Sequence, residues 1–94
     1  MCKVINFQER LQENNVQGFS HRCKQMLMGD IAEEKFGSLL VTVLREGDDE
    51  EPDMANYFYI RAINDKGNLI AEEVDIYFDD LEDEIRKIVL GSEN

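Results

Sequence analysis

The stretch Tyr57-Phe58-Tyr59-Ile60-Arg61-Ala62-Ile63-Asn64-Asp65-Lys66-Gly67-Asn68-Leu69-Ile70-Ala71-Glu72-Glu73 decides the fold. Its first seven residues alternate, with Phe58, Ile60 and Ala62 on one face of an extended chain and Tyr57, Tyr59 and Arg61 on the other. Asn64 to Asn68 reads as a turn, because Asn and Gly tolerate positive φ. Leu69 to Glu73 then returns as a strand. Upstream, Leu39 to Arg45 is rich in β-branched and large apolar residues. Leu39, Val41 and Val43 share one face, while Leu40 and Leu44 occupy the other, which predicts a central strand covered on both sides. An acidic loop containing Pro52 ends it. Three strands in chain order make an antiparallel meander.

Helices are expected on either side of these strands. Asn6-Phe7-Gln8-Glu9 fits a capping box, and a helix from about Phe7 to Gln17 would stop at Gly18, with Phe7 and Leu11 on one face. Ser20 can cap a second helix whose apolar stripe is Cys23, Met26 and Leu27. Asp30-Ile31-Ala32-Glu33 repeats the capping-box pattern, so a third helical piece is expected up to Phe36, before Gly37. Residues 20–36 read equally well as one kinked helix or two pieces.

The last element carries two periods at once. Val74, Ile76 and Phe78 alternate as a strand does, yet Val74, Phe78, Leu81, Ile85 and Ile88 are spaced as a helical stripe. The reading adopted is a strand to about Glu73 and a helix from about Asp79 to Leu90, capped by Asp79 and ended by Gly91. A helix from Asp75 is the alternative, so residues 74–78 stay open between strand and helix. The expected architecture is a single α+β domain over residues 1–94, in the order α-α-β-β-β-α.

Charge narrows the kind of work such a domain can do. The 94 residues hold 21 Asp and Glu against 10 Lys and Arg, a formal net charge of −11. An apolar share of 43% is ordinary for a folded chain. This acidity argues against direct binding to nucleic acid or to anionic lipid, which it would repel. No apolar run approaches the ~20 residues that span a bilayer. Met1-Cys2-Lys3 leads into no secretory apolar region, so a cytoplasmic location is expected. The charge is also unevenly divided: residues 1–45 have a net of +1, and residues 46–94 a net of −12. One cluster is the loop with Asp48, Asp49, Glu50, Glu51 and Asp53. The other contains Glu72, Glu73, Asp75, Asp79, Asp80 and Asp83. Solubility alone needs no such clustering, so a surface that meets a basic partner is expected.

Catalytic chemistry has little to draw on. His21 is the single histidine, which leaves no multi-histidine metal site within one chain. Cys23 falls on an apolar stripe and reads as a buried, inert thiol. Asp79/Asp83 and Asp80/Glu84 are i, i+4 pairs that could share a proton or a divalent cation, although repulsion offset by the helix N-terminus is the simpler reading. No cofactor and no enzymatic activity are expected. Tyr57, Tyr59 and Arg61 share a strand face, and Tyr and Arg are favoured at interfaces.

Ile60-Arg61, Asn64-Asp65 and Gly67-Asn68, followed by an acidic segment and a helix, resemble the hairpin of small phage-encoded anti-CRISPR proteins, over about residues 57–90. The resemblance implies a DNA mimic that occupies the site where a CRISPR nuclease reads its target-flanking motif. The residues read as partner-binding are Asp48, Asp49, Glu50, Glu51, Glu72, Glu73, Asp75, Asp79, Asp80, Asp83, Tyr57 and Tyr59. The other expectation is an interaction or regulatory module unrelated to nucleic acid, a homo-oligomer among the forms it could take, using the Tyr57/Tyr59 strand.

Overall fold

The computed structural model describes residues 7–47 and 57–91, with side chains from Asn14 onward. They form an α+β domain of two helices and one four-stranded antiparallel sheet: α1 (Phe7–Lys24), β1 (Ile31–Phe36), β2 (Leu39–Glu46), β3 (Tyr57–Ile63), β4 (Leu69–Tyr77), a 3₁₀ turn (Phe78–Asp80) and α2 (Leu81–Gly91). The strands lie in chain order, β1-β2-β3-β4. The expected meander is present, with one strand more and one helix fewer than the sequence suggested.

Gly18 does not end the first helix. A terminating glycine adopts positive φ, which Gly29, Gly37 and Gly67 do and Gly18 does not. Val16, Phe19, Ser20 and Cys23 are buried at helical spacing across it, and this stripe holds the helix together through the glycine. Phe19 meets Phe36 edge-on, with ring centroids 5.7 Å apart. Each such buried side chain contributes about 1.5–3 kcal/mol, more than the ~1 kcal/mol that a mid-helix glycine costs. Ser20 is therefore no N-cap; its Oγ donates to the Gln17 carbonyl at 3.0 Å from inside the helix. The Asn6 cap lies outside the described residues, as do the Phe7 and Leu11 side chains.

The third helical piece is instead β1. Gly29, at φ 90°, turns the chain, and Asp30 Oδ2 accepts the Leu27 N–H at 3.1 Å. The Gly29 N–H donates to the Arg45 carbonyl at 2.7 Å and the Arg45 N–H to the Asp30 carbonyl at 3.0 Å. A ladder to β2 has thus begun before Ile31. It closes at Gly37-Ser38, a two-residue hairpin loop with positive φ at its first position only, the type II′ pattern.

Both helices cover one face of the sheet. The core comprises Val16, Phe19 and Cys23 of α1, Leu81, Ile85, Ile88 and Val89 of α2, and the inward residues Phe36, Leu39, Val41, Val43, Phe58, Ile60, Ala62 and Ile76. Among the described residues, internal strand β2 is thus covered on one face only; Leu40 and Leu44, on the other, are half-buried. Arg45 ties the layers: its Nη1 donates to the Lys24 carbonyl at 3.1 Å and to the Met26 carbonyl, at the end of α1. Its guanidinium lies 5.9 Å from the Phe58 ring centroid and 5.7 Å from that of Phe78.

The ambiguity at residues 74–78 resolves into a β-bulge. Phe58 pairs with Ile76 but Ile60 pairs with Glu73, so Tyr59 faces two residues, Val74 and Asp75. Asp75 takes φ 55°, a left-handed conformation that Asp tolerates better than most residues. The extra residue breaks the alternation: Val74 is 61% exposed while Ile76 is 6% exposed in the core. β4 thus runs to Tyr77 rather than stopping near Glu73, and α2 begins at Leu81 rather than Asp79 and includes Gly91. No helix among the described residues is long and apolar enough to cross a membrane.

A Gly18→Ala variant tests the continuous helix. A methyl group at Gly18 would meet nothing within 4 Å, so chemical denaturation should show a gain of about 0.5–1 kcal/mol. A loss would mean that the chain breaks there.

Candidate functional site

The hairpin between β3 and β4 sets the position of the acidic residues. Asn64 Oδ1 accepts the N–H groups of Lys66 and Asn68, both at 2.9 Å, and Gly67 at φ 84° donates its N–H to the Asn64 carbonyl at 3.0 Å. This side-chain turn fixes the strands' meeting point. A first irregularity follows, where Ile63 pairs with Leu69 but Ala62 with Ala71, leaving Ile70 as an extra residue. Glu72 then stands opposite Arg61 on the uncovered face, and Glu73 opposite Ile60.

Tyr59 reaches across the sheet and donates its hydroxyl to Glu72 Oε2. That hydrogen bond is the main reason the Tyr59 phenol is held above its ordinary value near 10, with partial burial adding to it. Tyr57 stacks obliquely on Tyr77, with ring centroids 5.4 Å apart. The two tyrosines expected on one face are there, half-buried. Tyr77, exposed on the same face, was not among the expected site residues. Its alternation with Tyr57 and Tyr59 across a hairpin is a signal only if β4 is carried past the bulge.

From Leu69 to Gly91 the chain holds eight acidic residues and two basic ones. The basic residues are committed within α2. Arg86 holds Glu82 at 2.7 Å and Asp83 at 2.9 Å, and Lys87 approaches Glu84 at 3.5 Å. Glu72 is bonded by Tyr59. Glu73, Asp75, Asp79 and Asp80 are exposed and have no ion pair among the described residues. The i, i+4 reading of Asp79/Asp83 and Asp80/Glu84 is corrected: Asp79 and Asp80 lie in the 3₁₀ turn, while Asp83 and Glu84 face helix cations. No group of three metal-ligating side chains forms among the described residues.

The structure thus strings Glu72, Glu73, Asp75, Asp79, Asp80 and Asp83 along edge strand β4, the 3₁₀ turn and the start of α2, with Glu72 on the face of Tyr57 and Tyr59 and Glu73 on the side of α2. Asp48, Asp49, Glu50 and Glu51 lie outside the described residues. The residues that bracket them can be placed: Glu46 pairs with Tyr57, and Tyr57 with Tyr77, at the sheet end where the 3₁₀ turn begins.

Cys23 is fully buried, and burial pushes its thiol up to about 12, so it stays protonated and unreactive at neutral pH. His21 is exposed on α1, its Nε2 3.3 Å from Gln25 Nε2. Comparison with protein-family models, curated proteins and solved structures yields no match. What the surface can do rests on its own geometry.

The Tyr59–Glu72 bond predicts a pH response. The folded state favours the protonated phenol, so the bond's contribution is complete below the ordinary tyrosine value near 10 and is lost as pH rises through the raised one. Ultraviolet titration of tyrosinate, compared with a Tyr59→Phe variant, should place Tyr59 above that ordinary value. Glu72→Gln should bring it back toward it; no change would place the bond elsewhere.

Proposed function

We propose that the protein is a non-enzymatic binding protein that lays its acidic β4–α2 edge on a basic surface of a partner protein, one that ordinarily holds nucleic acid. An inhibitor of the DNA-mimic kind, like the anti-CRISPR proteins its hairpin resembles, is the specific form of this reading, with a CRISPR nuclease as the partner. The observation that supports it is the eight-to-two excess of acidic residues along one edge, with both bases tied to acids of their own helix.

Fixed carboxylates on a hydrogen-bonded scaffold present negative charge without the conformational freedom of a disordered acidic tail. Such a surface gains association rate through long-range attraction, and the gain falls steeply with salt. Pairing inside α2 does not cancel the field, because Glu82, Asp83 and Glu84 still exceed Arg86 and Lys87 by one charge, and the five exposed acids Glu72, Glu73, Asp75, Asp79 and Asp80 add to it. Nucleic acid itself is repelled, which separates a mimic from a nucleic-acid-binding protein. The sequence's location in the cytoplasm and its phage-like character belong to the same proposal.

A second reading has its own observation. Tyr57, Tyr59 and Tyr77 cluster on the uncovered sheet face, and aromatic residues with polar tips dominate many interfaces. In that case the tyrosines carry the affinity and the acids only solvate the edge.

The variants that distinguish them are Glu73→Lys with Asp79→Lys and Asp80→Lys, and separately Tyr57→Ala with Tyr59→Ala. On immobilised protein, basic nucleic-acid-binding proteins from nuclease-treated lysate should be retained and should elute between about 50 and about 500 mM salt. The triple reversal should abolish retention with the melting temperature preserved. Retention indifferent to salt, or sensitive only to the tyrosine changes, contradicts the acidic-edge reading.

A further inference from the structure

The two edges of the sheet are built differently. β4 carries two irregularities, at Ile70 and at Val74-Asp75, which interrupt its outward row of backbone groups and discourage another strand from adding there. β1 carries none: Ile31 to Phe36 pairs with Leu44 to Leu39 in unbroken register. Because the Arg45 N–H donates to the Asp30 carbonyl, alternate residues Ala32, Glu34 and Phe36 spend their backbone groups on β2. Ile31, Glu33 and Lys35 therefore aim their N–H and C=O groups away from the sheet, where no strand of the described residues lies. Their side chains are exposed on the uncovered face.

We propose that β1 pairs with β1 of a second copy of this chain, antiparallel about a two-fold axis at Glu34, to make a continuous eight-stranded sheet. Charge selects both the occupant and the register. A two-fold axis normal to the sheet keeps each face on its own side, so only residues of like parity can be opposed. Centred on Glu33 it opposes two glutamates, and centred on Lys35 two lysines. Centred on Glu34 it sets each Glu33 opposite the partner's Lys35, twice, and makes those residues the hydrogen-bonded pairs. The two Glu34 side chains meet on the helix-covered face, where each is already held by its own Arg22.

Net charge does not oppose this arrangement. The acidic β4 edges end on the outside, seven strand spacings apart, roughly 33 Å, against a screening length of about 8 Å at physiological ionic strength. Both acidic edges stay open, so the dimer would offer a partner two copies of that surface. The inference rests on β1 alone and stands or falls apart from the proposed function.

Sedimentation equilibrium on the full chain, from about 1 μM to about 1 mM, is the test, since an edge this short belongs to the weak end of that range. The wild type should show a concentration-dependent monomer–dimer equilibrium. Glu33→Lys alone, and Lys35→Glu alone, each oppose like charges twice and should raise the dissociation constant about tenfold or more. The double exchange, Glu33→Lys with Lys35→Glu, restores opposite pairs and should restore the wild-type constant, which mere disturbance of the fold could not do. A wild type that is monomeric throughout would overturn the proposal, the charges then serving only to keep strands off the edge. So would a dimer whose constant ignores the single reversals.

Discussion

One surplus residue in β4 governs how the molecule is divided. Among the described residues two helices cover the sheet, both on one face, which is buried while the other is left uncovered by them. Side-chain alternation then commits every strand residue to one side or the other. In β4 the inward positions are Ala71, Glu73 and Ile76, because Val74 and Asp75 together occupy the place opposite Tyr59. The bulge turns Ile76 into the core and Val74 outward. It also passes Tyr77 to the uncovered face and sends the chain into the 3₁₀ turn that starts α2.

From that division the remaining contacts follow. α2 buries Leu81, Ile85, Ile88 and Val89, and α1 lays Val16, Phe19 and Cys23 beside them. Arg45, on the inward side of β2, closes the end of α1 through two backbone carbonyls while lying against Phe58 and Phe78. Lys24 adds its ammonium 5.4 Å from the Phe78 ring centroid. Cations are thus drawn to the end of α1, as the helix dipole favours. Acids collect on the far edge, where each turn of the chain from Glu72 to Glu84 adds to them.

Local chemistry was legible where it agreed with the tertiary structure. The Tyr57–Ile63 alternation and the Asn64–Asn68 turn carry their own geometry, and both appear as read. The stripe through Leu81, Ile85 and Ile88 gave the last helix; Cys23 is buried as expected, but with Val16 and Phe19 rather than on a stripe with Met26 and Leu27, since α1 ends at Lys24 and Leu27 is exposed. Elsewhere a strong local signal lost to packing. Gly18 looks like a stop until Val16, Phe19 and Cys23 are seen to share one face across it. Asp30-Ile31-Ala32-Glu33 imitates a helix cap, yet Gly37-Ser38 between two apolar residues was an equally local hairpin signal and fits the strand that forms. The end of β4 could not be read by period at all, because a bulge is a break in period. Of the candidate site, the clustering of acids was visible in composition, and the i, i+3 pairs of Asp83 with Arg86 and Glu84 with Lys87 were available in the helix as read, but the placing of Asp79 and Asp80 in a 3₁₀ turn before it was not.

The division of β4 between core and solvent, and with it the acidic edge, depends on Val74 and Ile76 lying on opposite sides of β4. An uninterrupted strand would place them on the same side. Equilibrium denaturation of Val74→Ala and Ile76→Ala compares the two directly. The bulge predicts a loss of about 2–4 kcal/mol for Ile76→Ala, from lost burial and the cavity left behind, and under about 0.5 kcal/mol for Val74→Ala. Equal losses at the two positions would contradict it.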